Sequence, residues 1–156
     1  MLTPVDKRLR RLATGIIPLF TPTNTGVVAL YNNSTGPFIL AVWDFVINPS
    51  SGAGTIGYNT QVGTLTTLVG PGTSVFTDEA TPPGLCYSDD LASPAAVIAN
   101  FNGTDAFSGN PDGVPLALLK PNWSIVMQAG ASATPIGGTF IYEWFNPAKL
   151  VEWELP

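Results

Sequence analysis

Apolar and polar residues alternate along most of this chain in short runs, which Gly-, Pro- and Asn-rich segments separate. A period of two is typical of β-strands with one buried face. In Trp123–Ala129, for example, Trp123, Ile125 and Met127 share one face, which predicts a strand buried on that side. The predicted strands are Ile16–Phe20, Val27–Asn32, Phe38–Asn48, Thr55–Val62, Ser74–Thr77, Ala95–Asn100, Leu116–Leu119, Trp123–Ala129 and Thr139–Phe145.

This pattern predicts an all-β protein, an antiparallel β-sandwich or jelly roll of about eight strands. A chain of 156 residues suits one domain, which we place at residues 16–145. The segment Gly130–Gly138 is rich in small residues and predicts a long hairpin loop between the last two strands. Residues 146–156 then form a tail that packs on its own or a neighbouring subunit.

The first 15 residues predict a short helical arm before the sandwich. Thr3 is a suitable N-cap, Pro4 suits the first helical position, and the helix is expected over residues 3–13. Its apolar stripe is narrow, which favours either packing on its own domain or docking onto a larger acidic assembly. The expected docking residues are Val5, Lys7, Arg8, Leu9, Arg10, Arg11 and Leu12.

Charge is divided unevenly between this arm and the rest of the chain. Residues 1–12 hold four cations against one carboxylate, a net +3, whereas residues 13–156 hold two cations against ten carboxylates, a net −8. An acidic body argues against nucleic acid as a partner of the sandwich. Only 11% of the residues are charged, and such a surface favours packing among copies of the chain.

The predicted strand Phe38–Ile47 is apolar on both faces. Leu40, Val42 and Val46 share one face with Asp44, and the opposite face consists of Ile39, Ala41, Trp43, Phe45 and Ile47. Because such a strand is covered on both sides, its second face needs a further cover, either the N-terminal arm or a neighbouring subunit. Together with the low charge density, the pattern predicts a homo-oligomer. The expected interface residues are Leu40, Val42 and Val46, joined by Trp153 of the tail. The Asp44 carboxylate is expected to accept backbone N–H groups rather than to act in catalysis.

The residue types exclude several kinds of enzyme. The chain has no His, which excludes Ser–His–Asp and Cys–His catalysis and the common zinc and copper sites. Its one cysteine, Cys86, predicts an inert, partly buried thiol. We therefore expect no enzyme activity, no cofactor and no metal site. No secretory signal or membrane span is recognised in the sequence, so a cytoplasmic site of synthesis and no membrane partner are expected.

The segment Asn100–Asp112 carries the strongest ligand signal. It is dense in oxygen-bearing side chains, which suit calcium, and it contains aromatic residues, which suit a contact surface for a receptor or a glycan. Its spacing does not match an EF-hand loop, so a plain surface loop is the preferred interpretation over a calcium site. A receptor- or glycan-binding module is therefore the alternative function, with Phe101, Asp105 and Phe107 as the expected ligand residues.

Two segments resemble small β-sandwich virion proteins of tailed bacteriophages. They are Leu116–Trp144, with its Pro-Asn-Trp-Ser strand and aromatic final strand, and Leu30–Asp44, with its Asn-rich turn before a Trp-bearing strand. The resemblance implies a non-enzymatic structural protein of the virion, such as a capsid decoration protein, vertex fibre or tail component. It implies other virion proteins and the chain itself, as a trimer, as partners, and synthesis in the host cytoplasm. It brings no catalytic residues.

Overall fold

The structure is a computed structural model that describes residues 11–47, 53–59, 67–75, 81–89, 96–102, 105–108 and 115–148. These residues form β-strands in two sheets, with antiparallel pairing throughout, so the predicted all-β, antiparallel fold is confirmed. The strands are β1 (Arg11–Phe20), β2 (Thr25–Asn32), β3 (Ile39–Ile47), β4 (Ala53–Asn59), β5 (Thr67–Pro71), β6 (Thr73–Ser74), β7 (Gly84–Asp89), β8 (Ala96–Asn102), β9 (Asp105–Ser108), β10 (Ala117–Leu119), β11 (Ser124–Ser132) and β12 (Ile136–Phe145).

The two sheets pack their apolar faces together around one core. Sheet A has the strand order β10-β3-β12-β1-β6, and β9 pairs with a further part of β3; sheet B has the order β5-β7-β2-β11-β4-β8. Alternate residues of each strand point into this layer, as the period of two predicts. The largest of the core side chains that are wholly buried are Leu30, Ile56, Ile125 and Met127 from sheet B and Leu40, Ile47, Leu119, Ile136, Phe140 and Tyr142 from sheet A.

A β-bulge at Trp43 explains why β3 is apolar on both faces. Asp44 pairs with Ile141 whereas Val42 pairs with Tyr142, so Trp43 is an extra residue without an opposite partner on β12. The extra residue reverses the alternation, so that Leu40 and Val42 point into the same core as Phe45 and Ile47. The expectation that a second subunit covers Leu40 and Val42 is therefore wrong, because both side chains are fully buried within one chain.

The strand that is buried on both faces is β2. Val28 and Leu30 belong to the core between the sheets, whereas Val27, Ala29 and Tyr31 belong to a separate buried cluster with Tyr87 and Val126 on the other side of sheet B. The run of apolar residues in β2 is continuous, as is typical of a strand covered on both sides.

The predicted helix is wrong at its C-terminal end. Arg11–Ala13 are the first residues of β1, and they pair with Trp144, Glu143 and Tyr142 of β12. Two flanking strands satisfy this backbone, and a short helix of marginal stability does not compete with that pairing. Residues 1–10 lie outside the described residues. The expected domain boundary between residues 15 and 16 falls inside β1.

Three strands lie where the sequence predicts turns or a loop. β5 and β7 contain or adjoin Gly and Pro residues, and β9 falls in the oxygen-rich segment. The long hairpin loop is wrong as well, because β11 belongs to sheet B and β12 to sheet A. The chain crosses between the sheets within the three residues that separate Ser132 from Ile136, and Ala133 there adopts a positive φ of 56°.

Candidate docking surface

The outer face of sheet A, opposite the core, carries exposed apolar side chains among its described residues. Antiparallel partners point to the same face, so the pairings define three rows across it. The first row runs Leu118, Ala41, Glu143, Leu12; the second Asp44, Ile141, Thr14; the third Val46, Thr139, Ile16.

This face is open at the third row and closed at the first. Ile16 is 63% exposed and Val46 is 36% exposed, whereas Ala41 in the first row is 1% exposed. Leu118, at the edge of the sheet, is again 53% exposed. Exposed large apolar residues that lie together on one sheet face are typical of interaction surfaces. The rows therefore define a candidate docking surface whose most accessible part surrounds Ile16 and Val46.

Two carboxylates lie within this apolar face. Asp44 is half-buried beside Ile141, and Glu143 is buried in the first row with only 8% of its surface exposed. Of the residues described in β1, β3, β10 and β12, the only other charged one is Arg11, at the start of β1. Glu143 is buried and already interacts with another group, so the described part of this surface is apolar around the half-buried Asp44.

Two of the expected docking residues, Arg11 and Leu12, lie at this surface. Leu12 lies in the first row, paired with Glu143, and Arg11 immediately precedes it. Both residues are half-buried and belong to β1. The other five expected docking residues, Val5, Lys7, Arg8, Leu9 and Arg10, lie outside the described residues.

The expected oligomer residues are separated by the fold. Leu40 and Val42 are core residues, so neither is available to a second subunit, whereas Val46 lies on the open part of the outer face. Trp153 lies outside the described residues. Sequence reasoning missed Ile16, Leu118 and Ile141, although the alternation within Thr139–Phe145 already places Ile141 opposite the large aromatic residues.

The described residues of the expected ligand loop, 100–102 and 105–108, belong to strands β8 and β9. Phe101 is 3% exposed and belongs to the core, and its ring occupies the space above Gly54, where a Cβ would overlap it. It is therefore not a ligand residue, because its aromatic faces are already packed. Asp105 and Phe107 lie in β9, where their backbones pair with Ile47 and Phe45 of β3. This placement removes one of the three residues on which the receptor- or glycan-binding alternative depends.

Asn32 joins the two sheets at one end of the sandwich. Its buried Nδ2 donates hydrogen bonds to the carbonyl oxygens of Phe38 (2.9 Å) and Leu119 (2.8 Å), and its Oδ1 accepts one from Ser34 N (3.0 Å). Its backbone N–H also donates to the carbonyl of Trp123 at 2.9 Å. Both amide hydrogens are bonded, one to Leu119 in β10 of sheet A and one to Phe38 immediately before β3. This side chain therefore has a structural role.

The core holds one thiol and one phenol that face each other across the sheets. Burial raises the pKa of the Cys86 thiol to about 11. Burial, followed by the charge on Cys86, also raises the pKa of Tyr142. Raised pKa values leave both groups protonated at neutral pH, and a protonated buried thiol is a poor nucleophile. The predicted inert thiol agrees with this, although Cys86 is fully rather than partly buried, at 1% exposure.

Within the described ranges, no three His, Cys, Asp or Glu side chains come together in a way that could hold a metal ion. The same residues contain no helix with the length and hydropathy required to cross a bilayer. Comparisons with protein-family models, with curated proteins and with solved structures found no match to this chain.

Proposed function

We propose that this protein is a structural component of a virion, of the kind found in tailed bacteriophages as a capsid decoration, vertex fibre or tail protein. It acts by assembly with other virion proteins, not by catalysis. Its basic N-terminal arm anchors it, and its all-β body provides the exposed surface. The observation that carries this proposal is the order in which the strands pair.

The order in which the strands pair supports a jelly roll as the framework of this protein. A jelly roll forms when a long antiparallel hairpin of eight strands is rolled up, so that the first strand pairs with the eighth, the second with the seventh, the third with the sixth and the fourth with the fifth. Here β1 pairs with β12, β2 with β11, β3 with β9 and β10, and β4 with β8. The β12–β3 and β11–β4 pairs then complete two four-stranded sheets.

The remaining strands extend this framework without interrupting it. β5, β6 and β7 lie between the fourth and fifth framework strands in the chain, and they add to the outer side of β2 and β1. Jelly rolls are common in viral capsid proteins and in lectin domains. The strand order thus supports the bacteriophage resemblance of Leu116–Trp144, and the low content of charged residues, 11%, favours a surface that packs against copies of itself.

Quantitative mass spectrometry of purified virions tests this proposal. We expect the protein in intact particles at a constant copy number relative to the major capsid protein, and antibody labelling at fixed, symmetric positions. The control is the lysate of the same infected cells, since a protein that only contaminates the particles is depleted on repeated purification. Loss of the protein from purified virions would overturn the proposal.

A glycan array is the test for the alternative function. A specific signal that survives deletion of residues 1–10 would favour a receptor- or glycan-binding module over an assembly component. We expect no such signal. The variant Val97→Thr, on an exposed position of β8, is a suitable surface control for the array.

A further inference from the structure

We infer that the edge strand β8 pairs, antiparallel, with β8 of a second copy of this chain, so that sheet B continues from one copy into the other. The inference goes beyond the proposed function, because it names an interface that does not depend on the assembly in which the protein takes part. It rests on three observations: the outer edge of β8, the absence of charge from this strand, and a side-chain pattern that is complementary to itself.

β8 lies at the end of sheet B. Among the described strands it pairs with β4 alone, so this part of the sheet leaves its second edge without a partner. Five of its seven residues are exposed, and among them Val97 is 56% exposed and Ile98 is 47% exposed. An edge strand presents backbone N–H and C=O groups that pair readily with a strand of another chain. β8 is thus built for strand addition.

The other edges of the two sheets, as far as they are described, carry features that prevent such pairing. Native edge strands are protected by short length, charged residues or Pro. β6 has two residues, β10 has three and is followed by Lys120, and β9 has four and begins with Asp105. β5 ends with Gly70, whose φ is 148°, and Pro71. β8 has seven residues and contains neither a charged residue nor Pro.

A bulge limits the part of β8 that is able to pair. Val97 pairs with Gly57 and Ala99 pairs with Ile56, so Ile98 is an extra residue without an opposite partner on β4. Bulges also protect edges, because they bend the strand locally. Beyond this bulge the pairing with β4 is regular up to Asn102. The inferred contact is therefore confined to residues 98–102.

The alternation within these five residues fixes the register of the pair. Ala99 and Phe101 face the core, whereas Ile98, Asn100 and Asn102 point away from it. Opposite residues of an antiparallel pair point to the same face. A register centred on Asn100 places Asn100 opposite its equivalent, Ala99 opposite Phe101 and Ile98 opposite Asn102. Every pair then shares a face, and all five residues are used.

Registers centred on the neighbouring residues fit less well. A centre at Ala99 would set Phe101, on the core face, opposite Val97, on the outer face. A centre at Phe101 would require residues beyond Asn102, where the chain leaves sheet B, since Asp105 already belongs to β9 of sheet A. The self-complementary register at Asn100 is the reason to infer a second copy as the partner.

The side chains and charges of this register also suit two identical chains. The small Ala99 lies opposite the large Phe101, and the two Asn100 amides each offer a donor and an acceptor to the other. Each copy has a net charge of −5, and like charges placed directly opposite each other are destabilising. Because no charged residue lies within β8, pairing brings none together. The same patch on both subunits forms the two-fold interface that is typical of homodimers.

Charge substitutions at Asn100 test the register by sedimentation of the purified full chain. Because residue 100 lies opposite itself, Asn100→Lys and Asn100→Glu each set like charges opposite each other, whereas a mixture of the two sets opposite charges together. We expect the wild-type chain to form dimers at micromolar concentration and each variant alone to associate at least about threefold more weakly. An equimolar mixture of the two variants should recover association. The matched controls are Asn33→Lys and Asn33→Glu, at an exposed position outside the strands, which should leave association unchanged.

Cysteine substitutions provide a second, geometric measurement. Opposite residues of an antiparallel pair have Cα atoms about 4.5–5.5 Å apart, within the range that a disulfide spans. Asn100→Cys should therefore give a disulfide-linked dimer when diamide is added as the oxidant of the two thiols. The matched control is Asn102→Cys, whose two copies lie four residues or ~13 Å apart and should not be linked. Cys86 is 1% exposed and should stay reduced.

A wild-type chain that stays monomeric, or a mixture of charge variants that does not recover association, would overturn the inference. Equal cross-linking at residues 100 and 102 would do the same, as would open-ended growth beyond the dimer, which indicates edge aggregation. Circular dichroism and thermal unfolding establish that each variant is folded before it is compared. If a charge variant does not fold, the uncharged Asn100→Cys variant still decides the register.

The test separates this inference from the proposed function, because it uses no virions. A monomeric chain that is still present in purified particles contradicts only the inference, whereas a dimeric chain that is absent from them contradicts only the proposed function.

Discussion

The hydroxyl of Tyr142 in sheet A donates a hydrogen bond of 3.4 Å to the backbone carbonyl of Gly84 in sheet B. The same carbonyl accepts the N–H of Gly72 at 3.0 Å. A Cβ at either glycine would collide with the phenol of Tyr142, so the two glycines provide the space for its hydroxyl. The largest side chain of the wholly buried core is thus fixed at its polar end by backbone from the opposite sheet.

This relationship predicts that Gly72→Ala is strongly non-additive with Tyr142→Phe. The hydrogen bond is longer than the usual value of about 2.5–3.0 Å, so Tyr142→Phe alone should lower the free energy of unfolding by no more than about 1 kcal/mol. Gly72→Ala should cost about 1–3 kcal/mol, because the added methyl overlaps the hydroxyl. In the Tyr142→Phe background part of that cost should disappear, as measured by urea unfolding of the four chains.

The matched control for this cycle is Gly36→Ala. Its added Cβ would lie 3.6 Å from the nearest atom, an ordinary contact with Phe38. We expect an effect within about 0.5 kcal/mol in either background. Equal costs of Gly72→Ala with and without the Tyr142 hydroxyl would show that the glycine is required for another reason.

Asn32 should be among the most sensitive polar positions in the chain. Asn32→Ala leaves the carbonyls of Phe38 and Leu119 without their buried donor, which should cost about 2–4 kcal/mol. Asn32→Asp should cost at least as much at neutral pH, because a carboxylate would face two carbonyl oxygens. Chemical denaturation gives both values. The exposed Asn33→Ala is the neighbouring control, and a similar loss there would argue against a specific role for the Asn32 side chain.

Substitutions at Leu40 and at Val46 should differ strongly in their effect on stability, although the sequence places both residues on one face of the strand. Leu40→Ala removes a fully buried side chain and should lower the free energy of unfolding by about 2–5 kcal/mol at any protein concentration. Val46→Ala should change it by less than about 1 kcal/mol, because that side chain is 36% exposed. Thermal unfolding at low and high protein concentration separates the two roles. A Leu40→Ala variant of normal stability would contradict the bulge at Trp43.

Stability should fall at alkaline pH, in part because of Cys86. The pKa of its thiol is raised to about 11 in the folded chain, against an ordinary value of 9.0 in the unfolded chain. The folded state therefore keeps a proton that the unfolded state releases, so this contribution is complete below about pH 8 and is lost as pH rises towards 11. The raised pKa of Tyr142 acts in the same direction at higher pH.

Urea unfolding between about pH 8 and 11 measures this dependence. The wild-type chain should lose on the order of 2 kcal/mol attributable to the thiol. The variant Cys86→Ala should be less stable at neutral pH, since it leaves a small cavity, but its stability should fall less steeply in this interval. Identical slopes for the two chains would show that the thiol is not protected by burial.

Two N-terminal deletions should have different consequences. Removing residues 1–10 leaves β1 whole and should preserve a cooperative thermal transition. Removing residues 1–13 also removes Arg11, Leu12 and Ala13, which pair with β12, and Ala13 is a buried core residue. This deletion should clearly lower the transition temperature. Equal stability of the two chains would place the N-terminal boundary of the folded body after residue 13.

Local patterns in the sequence are sufficient to predict the strand content and the division of charge. The period of two is set by the backbone itself, so strands such as β11 and β12 are recognisable from Trp123–Ala129 and Thr139–Phe145 alone. Likewise, the basic segment before Arg11 and the acidic body are properties of composition and need no fold. The jelly-roll alternative could be named but not distinguished from other sandwiches, because pairing order is a long-range property.

The tertiary structure decides which apolar residues are covered, and by what. One extra residue at Trp43 reverses the alternation of β3, and only its register against Ile141 and Tyr142 reveals this. The outer face could not be predicted from the sequence for the same reason. Ile16 and Val46 are far apart in sequence, and they lie in one row only because both strands pair with β12. A strand pattern specifies two faces, but the neighbouring strands and the opposing sheet determine which face is the core and which remains open to a partner.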